Sequence, residues 1–107
     1  QVRLRSIQSR VFDTSDRIQL LRTIIATLQD LGFVIDKADA DLGTISGTKR
    51  KGYALKMTVT VRPRGETQAI VRANAQYNLQ TVEEPEPYQQ FFTSLSKDLF
   101  LEAQEIE

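Results

Sequence analysis

The chain has 107 residues, a length that suits one domain. Its 14 basic and 14 acidic side chains cancel, so no net field selects a nucleic acid or a membrane surface as partner. It has no cysteine and no histidine, which excludes a disulfide framework, thiolate metal sites and the commonest general base near neutral pH.

No apolar run approaches the ~20 residues of a membrane span. The chain opens on Gln1, which leads us to expect a mature fragment whose targeting segment has been removed.

Residues 3–12 (RLRSIQSRVF) read as a first strand with Ile7 and Val11 on its apolar side. So few apolar positions suit an edge strand. Asp13, Thr14 and Ser15 are N-cap types, and Asp16 suits the positive end of a helix dipole. Ile18, Leu21, Ile25 and Leu28 then recur at helical steps, widened by Leu20, Ile24 and Leu31. Gly32 stops this helix, and Phe33 folds back onto Leu28.

Residues 33–37 (FVIDK) read as a strand with Phe33 and Ile35 inward, followed by a turn or bulge over ADADLG. Residues 44–50 (TISGTKR) resume extended structure, with Gly47 as a kink. Lys51-Gly52 suits a turn. The alternation of Tyr53, Leu55, Met57, Val59 and Val61 with polar residues marks a strand over 53–62. Pro63-Arg64-Gly65 supplies a hairpin turn. The returning strand, 68–78, places Ala69, Val71, Ala73, Ala75 and Tyr77 inward.

Residues 79–87 read as a linker, and Pro85 or Pro87 can open the last helix. Its stripe is Tyr88, Phe92, Leu95 and Leu99, helped by Phe91 and Ala103. The expected fold is a single α+β domain over 1–107. Its antiparallel meander carries two helices on one face, in the order β-α-β-β-β-β-α. The core is expected from Ile18, Leu21, Ile25, Leu28, Phe33, Ile35, Leu55, Met57, Val59, Val71, Phe92, Leu95 and Leu99. The other sheet face is then polar and solvated, with Lys56, Thr58, Thr60, Arg62, Arg72, Asn74 and Gln76.

Catalytic motifs are scarce. Ser46-Gly-Thr-Lys49 and Ser94-Leu-Ser-Lys97 match S-x-x-K, but the other serine acyl-enzyme motifs do not accompany them. Asp36, Asp39 and Asp41 suggest calcium, yet Arg50 stands where a calcium loop needs its bidentate Glu, so a solvated turn is the reading. The stretch from Gly43 to Lys49 lacks the order of a phosphate-binding loop. No metal and no cofactor are expected.

The charge layout is more informative. Residues 49–72 carry Lys49, Arg50, Lys51, Lys56, Arg62, Arg64 and Arg72 against Glu66 alone. Residues 83–107 carry Glu83, Glu84, Glu86, Asp98, Glu102, Glu105 and Glu107 against Lys97 alone. This asymmetry can steer a partner or order copies head to tail. The preferred reading is internal compensation, the acidic helix neutralising the basic hairpin, because charge runs are usually solvated faces. Any binding is expected on the seven cations of the hairpin, not on the acidic helix. Nucleic acid is disfavoured, because the expected outer face of 53–78 carries no aromatic stacking platform.

Residues 9–16 (SRVFDTSD), 27–33 (TLQDLGF) and 39–43 (DADLG) resemble a type of small bacterial lipoprotein domain. The layout of helix, Leu-Gly-Phe, strand and an Ile-Ser/Thr-rich strand is similar to the helix-grip domains of the BamC outer-membrane assembly lipoproteins, over roughly residues 5–50. The resemblance implies a periplasmic location, a lipidated cysteine upstream as the link to the outer membrane, and a scaffolding or binding role with an envelope protein as partner. It carries no catalytic residue. The expected function is a non-catalytic protein-binding or assembly module. One alternative is a carrier of a small apolar ligand, held between helix 15–31 and the sheet by Phe33, Met57 and Tyr77. An enzyme using carboxylates or lysine ranks third.

Overall fold

A computed structural model describes residues 8–105. The elements run β1 (Ser9–Phe12), α1 (Arg17–Asp30), β2 (Val34–Asp39), β3 (Thr44–Arg50), β4 (Ala54–Arg64), β5 (Gln68–Tyr77), β6 (Gln80–Thr81) and α2 (Pro85–Glu105). The α+β class, the antiparallel meander and the two helices on one face agree with the sequence reading. One short strand, β6, adds to it. The sheet order is β1-β5-β4-β3-β2, with β6 also on β5. Strands β2 to β5 form the meander, and β1 lies at the far edge beside β5. The part of the expected first strand before Gln8 and the side chain of Ala103 lie outside the described residues.

Each helix is fixed by local chemistry at its ends. Asp16, not one of the three preceding residues, caps α1: its carboxylate accepts the Gln19 N–H at 3.1 Å. At the other end Gly32 takes φ +97°, and the Phe33 N–H reaches the Leu28 carbonyl at 2.9 Å. That is the backbone closure expected of a glycine-terminated helix. Pro85, where a missing N–H costs nothing, opens α2.

The buried face of α1 differs in rotation from the expected stripe. Leu20, Ile24 and Leu28 are fully buried, whereas Ile18 is 49% exposed and Ile25 half-buried. The reason is α2, which packs beside α1 and draws Thr23 and Thr27 into the interface. Thr23 donates to Glu102 at 2.6 Å and Thr27 to Asp98 at 2.6 Å. These bonds satisfy hydroxyls that would otherwise be costly to bury. Ile35 and Leu99 are half-buried at the margin of the core.

Several local expectations shift. In β1 it is Phe12 that packs on the core, while Val11 is 37% exposed. Strand β2 continues to Asp39, with its bulge between Ile35 and Lys37. Gly47 makes no kink. A Cβ there would stand 3.3 Å from the Phe33 Cβ, so the glycine permits close packing of β3 on β2. Pro63 is a strand residue opposite Ala69, and the hairpin turn follows at 65–67. Strand β3 pairs β4 only as far as Thr60, so among the described residues that side of β4 has no ladder partner to lose at Pro63. Tyr53 lies outside β4 and is 56% exposed.

The gap between β1 and β6 along β5 is closed by a buried tyrosine. The Tyr88 hydroxyl donates to the Val82 carbonyl at 2.6 Å and accepts the Ala75 N–H at 3.2 Å and the Gln8 amide at 3.3 Å. Tyr88→Phe keeps the ring and strips a buried carbonyl and a buried N–H of their partner. The expected cost is about 1–3 kcal/mol in a urea melt, with faster hydrogen exchange at the Ala75 amide. An unchanged melt would show that water replaces the hydroxyl.

Candidate functional site

Strand alternation decides what the outer sheet face presents. Leu55, Met57, Val59 and Val61 point to the helices, so Lys56, Thr58, Thr60 and Arg62 point away. Register aligns these residues in rows across the sheet. One row is Asp39, Thr44, Thr60, Arg72 and Ser9; the next is Lys37, Ser46, Thr58 and Asn74. A third is Val34, Thr48, Lys56, Gln76 and Thr81. The result is an open face of hydroxyls and amides with cations set into it.

The seven cations read as one hairpin group are not one group in space. Lys56, Arg62, Arg64 and Arg72 share the outer side of β4 and β5 and are exposed. Arg62 and Arg72, with Thr60 and Ile70, border a depression of about 430 Å³. Arg50 ends β3 opposite Ala54, the far end of β4 from Arg64, about 30 Å away at ~3.3 Å per strand residue. Lys51 sits in the adjoining turn. Lys49 faces the helix side: its Nζ donates to the Leu31 carbonyl at 3.1 Å and stands 5.2 Å from the centre of the Phe33 ring. There it complements the negative C-terminal end of α1. The sequence reading passed over Ile70, although its even position in β5 puts it among the outward residues.

Internal compensation of the charge layout does not reach the cations of the outer face, although Lys49 lines one groove with Glu84 and Glu86 at the start of α2. Helix α2 lies on the other side of the sheet from Lys56, Arg62 and Arg72. Its Asp98 and Glu102 accept hydrogen bonds from Thr27, Thr23 and Gln19 of α1.

The other candidates are placed as follows. Ser46 and Lys49 point to opposite faces of β3, which separates that S-x-x-K pair. The Asp36 carboxylate accepts the Thr48 hydroxyl at 2.6 Å, and that of Asp39 accepts the Leu42 N–H at 3.0 Å. Among the described residues no three His, Cys, Asp or Glu side chains are grouped to hold a metal. No described helix is long and apolar enough to cross a membrane.

The cavity expected between α1 and the sheet is not lined as predicted. Phe33 and Met57 are core residues, 5% and 1% exposed. Tyr77 instead meets Tyr53 edge to face, with ring centres 4.8 Å apart, in a groove of about 630 Å³ at the start of α2. The neighbouring Tyr53 hydroxyl, partial burial and the Glu84 carboxylate push the Tyr77 phenol up to about 12. A smaller apolar groove of about 210 Å³ does lie between α1 and β2, among Ile18, Leu21, Ile25, Ala38 and Ile45.

No protein-family model matches the chain, and no curated protein is found to be similar to it.

Proposed function

We propose that this chain is a non-catalytic protein-binding or assembly module of the bacterial cell envelope, working in the periplasm, with the outer sheet face as its contact surface. The observation that carries the reading is the one-sided fold. Both helices cover one face, and the other presents rows of Thr, Ser, Asn and Gln with exposed cations. Such a face offers adaptable hydrogen bonding without catalytic groups converging on a cleft. The resemblance to BamC-type lipoprotein domains supports the location and the assembly role.

The test is site-specific photocrosslinking in cells, with the photoreactive residue at Thr58 in the centre of the face or at Arg22 on the exposed side of α1. A discrete adduct from position 58 and none from position 22 is the expected result. The reverse pattern would move the contact surface to the helix side.

The groove beside Ile18 and Ile25 favours a second reading, the carriage of a small apolar ligand. Its 210 Å³ is below the ~300–1,000 Å³ of ordinary ligand sites, which places it second.

A further inference from the structure

Two arginines of the outer face are diagonal neighbours across β4 and β5. Thr60 pairs with Arg72 and Arg62 with Ile70, so the two arginines occupy the diagonal of a four-residue plaque. Diagonal neighbours of this kind lie about 7–8 Å apart, within the ~8 Å over which salt screens charge, so their like charges repel. Arg64 continues the same side of β4 towards the hairpin turn. Among the described residues every hydrogen-bonded carboxylate is held by a hydroxyl, an amide or a backbone N–H, and none by these arginines. The depression of about 430 Å³ lies on this plaque. Arg72 Nε donates to Ser9 Oγ at 3.3 Å, which anchors one side of the guanidinium and leaves its two terminal nitrogens as a donor fork.

We infer that the plaque receives a carboxylate side chain from an acidic, extended segment of the partner protein, while a neighbouring aliphatic side chain of that segment rests on Ile70. The inference depends on the outer sheet face being the contact surface, and it names the chemistry of the partner. Planar carboxylates match guanidinium forks, and two forks on one diagonal can close on a single carboxylate. Filling the depression with an anion also removes the repulsion between the arginines. A nucleic acid fits less well. Ile70 stands where a base would need an aromatic platform.

Fluorescence anisotropy with the whole chain tests the proposal. The probes are a labelled peptide alternating glutamate and valine, its glutamine counterpart, a single-stranded oligonucleotide and vesicles containing phosphatidylglycerol. The glutamate peptide is expected to bind at least tenfold more tightly than the glutamine one and to weaken as salt rises. The Arg62→Glu, Arg64→Glu, Arg72→Glu triple variant should lose tenfold or more, while Lys97→Glu on α2 changes little. A thermal melt matching the parent's shows that the triple variant is folded; if it is not folded, Arg62→Gln with Arg72→Gln makes the same comparison. Equal binding of both peptides, an unchanged affinity in the triple variant, or binding of only the oligonucleotide or the vesicles overturns the inference. An adduct from position 58 in the crosslinking experiment would then keep the sheet face as contact surface and discard only the acidic partner.

Discussion

Leu28→Ala is expected to lower the unfolding free energy by about 2–5 kcal/mol, the sum of lost transfer energy and the cavity left behind. Leu28 is fully buried where α1 meets the sheet. Native stability is typically about 5–15 kcal/mol, so a loss of this size moves the urea midpoint visibly and brings the domain close to unfolding. The informative control is Ile18→Ala. Both residues belong to one stripe in the sequence, but Ile18 is 49% exposed. Its truncation should cost about 1 kcal/mol or less. Equal losses for the two variants would mean that the rotation of α1 is set by its own apolar stripe and not by the docking of α2.

Gly43→Ala is expected to cost as much as a core truncation, although it only adds a methyl group. Gly43 closes the turn between β2 and β3 with φ +72°, where a side chain costs about 1–3 kcal/mol. The added Cβ would also stand 2.8 Å from the Val61 carbonyl oxygen, a backbone atom that cannot swing aside. Such overpacking adds about 1–3 kcal/mol. The site has no slack: the Gly43 carbonyl accepts the Val61 N–H at 2.8 Å, and Arg17 reaches across to the Ala40 and Asp41 carbonyls. Gly52→Ala separates the two causes. Gly52 has φ +82° but open space around its Cβ position, so it carries the conformational cost alone. Urea melts of both variants should place Gly43→Ala clearly below Gly52→Ala. Equal stabilities would mean that β3 parts from β4 at little cost.

Patterns that depend on neighbours in the chain were legible from the sequence. Strand β3 runs over 44–50 as read, because its ends are marked by Gly43 and by the Lys51-Gly52 turn. Strands β4 and β5 show their buried side through strict alternation, and with it the outward cations of the candidate site. The stop at Gly32 is a local event too, since positive φ and the Phe33 closure involve only adjacent residues.

Tertiary structure decided what depends on residues distant in sequence. Alternation assigns Arg62 and Arg72 to one side of their strands, but only the register of β4 on β5 makes them diagonal neighbours across Ile70. Charge counting cannot see that Arg50 and Arg64 lie at opposite ends of β4, or that Lys49 turns inward to the end of α1. The first strand is short, so its phase was set by the pairing of Ser9 with Arg72, and Phe12, not Val11, reached the core. The burial of Thr23 and Thr27 has the same origin. A hydroxyl reads as surface until an acceptor arrives from elsewhere, and here Glu102 and Asp98 arrive from 79 and 71 residues away. Sequence alone therefore determined where the main strands and helices run, through short-range sterics and hydrogen bonding, while the continuation of β2 to Asp39 and of β4 through Pro63, and the short β6, came from pairing with neighbours. The packing of α2 against α1 chose which of several nearly equivalent faces was buried, because only there could the polar groups be satisfied as the apolar ones were covered.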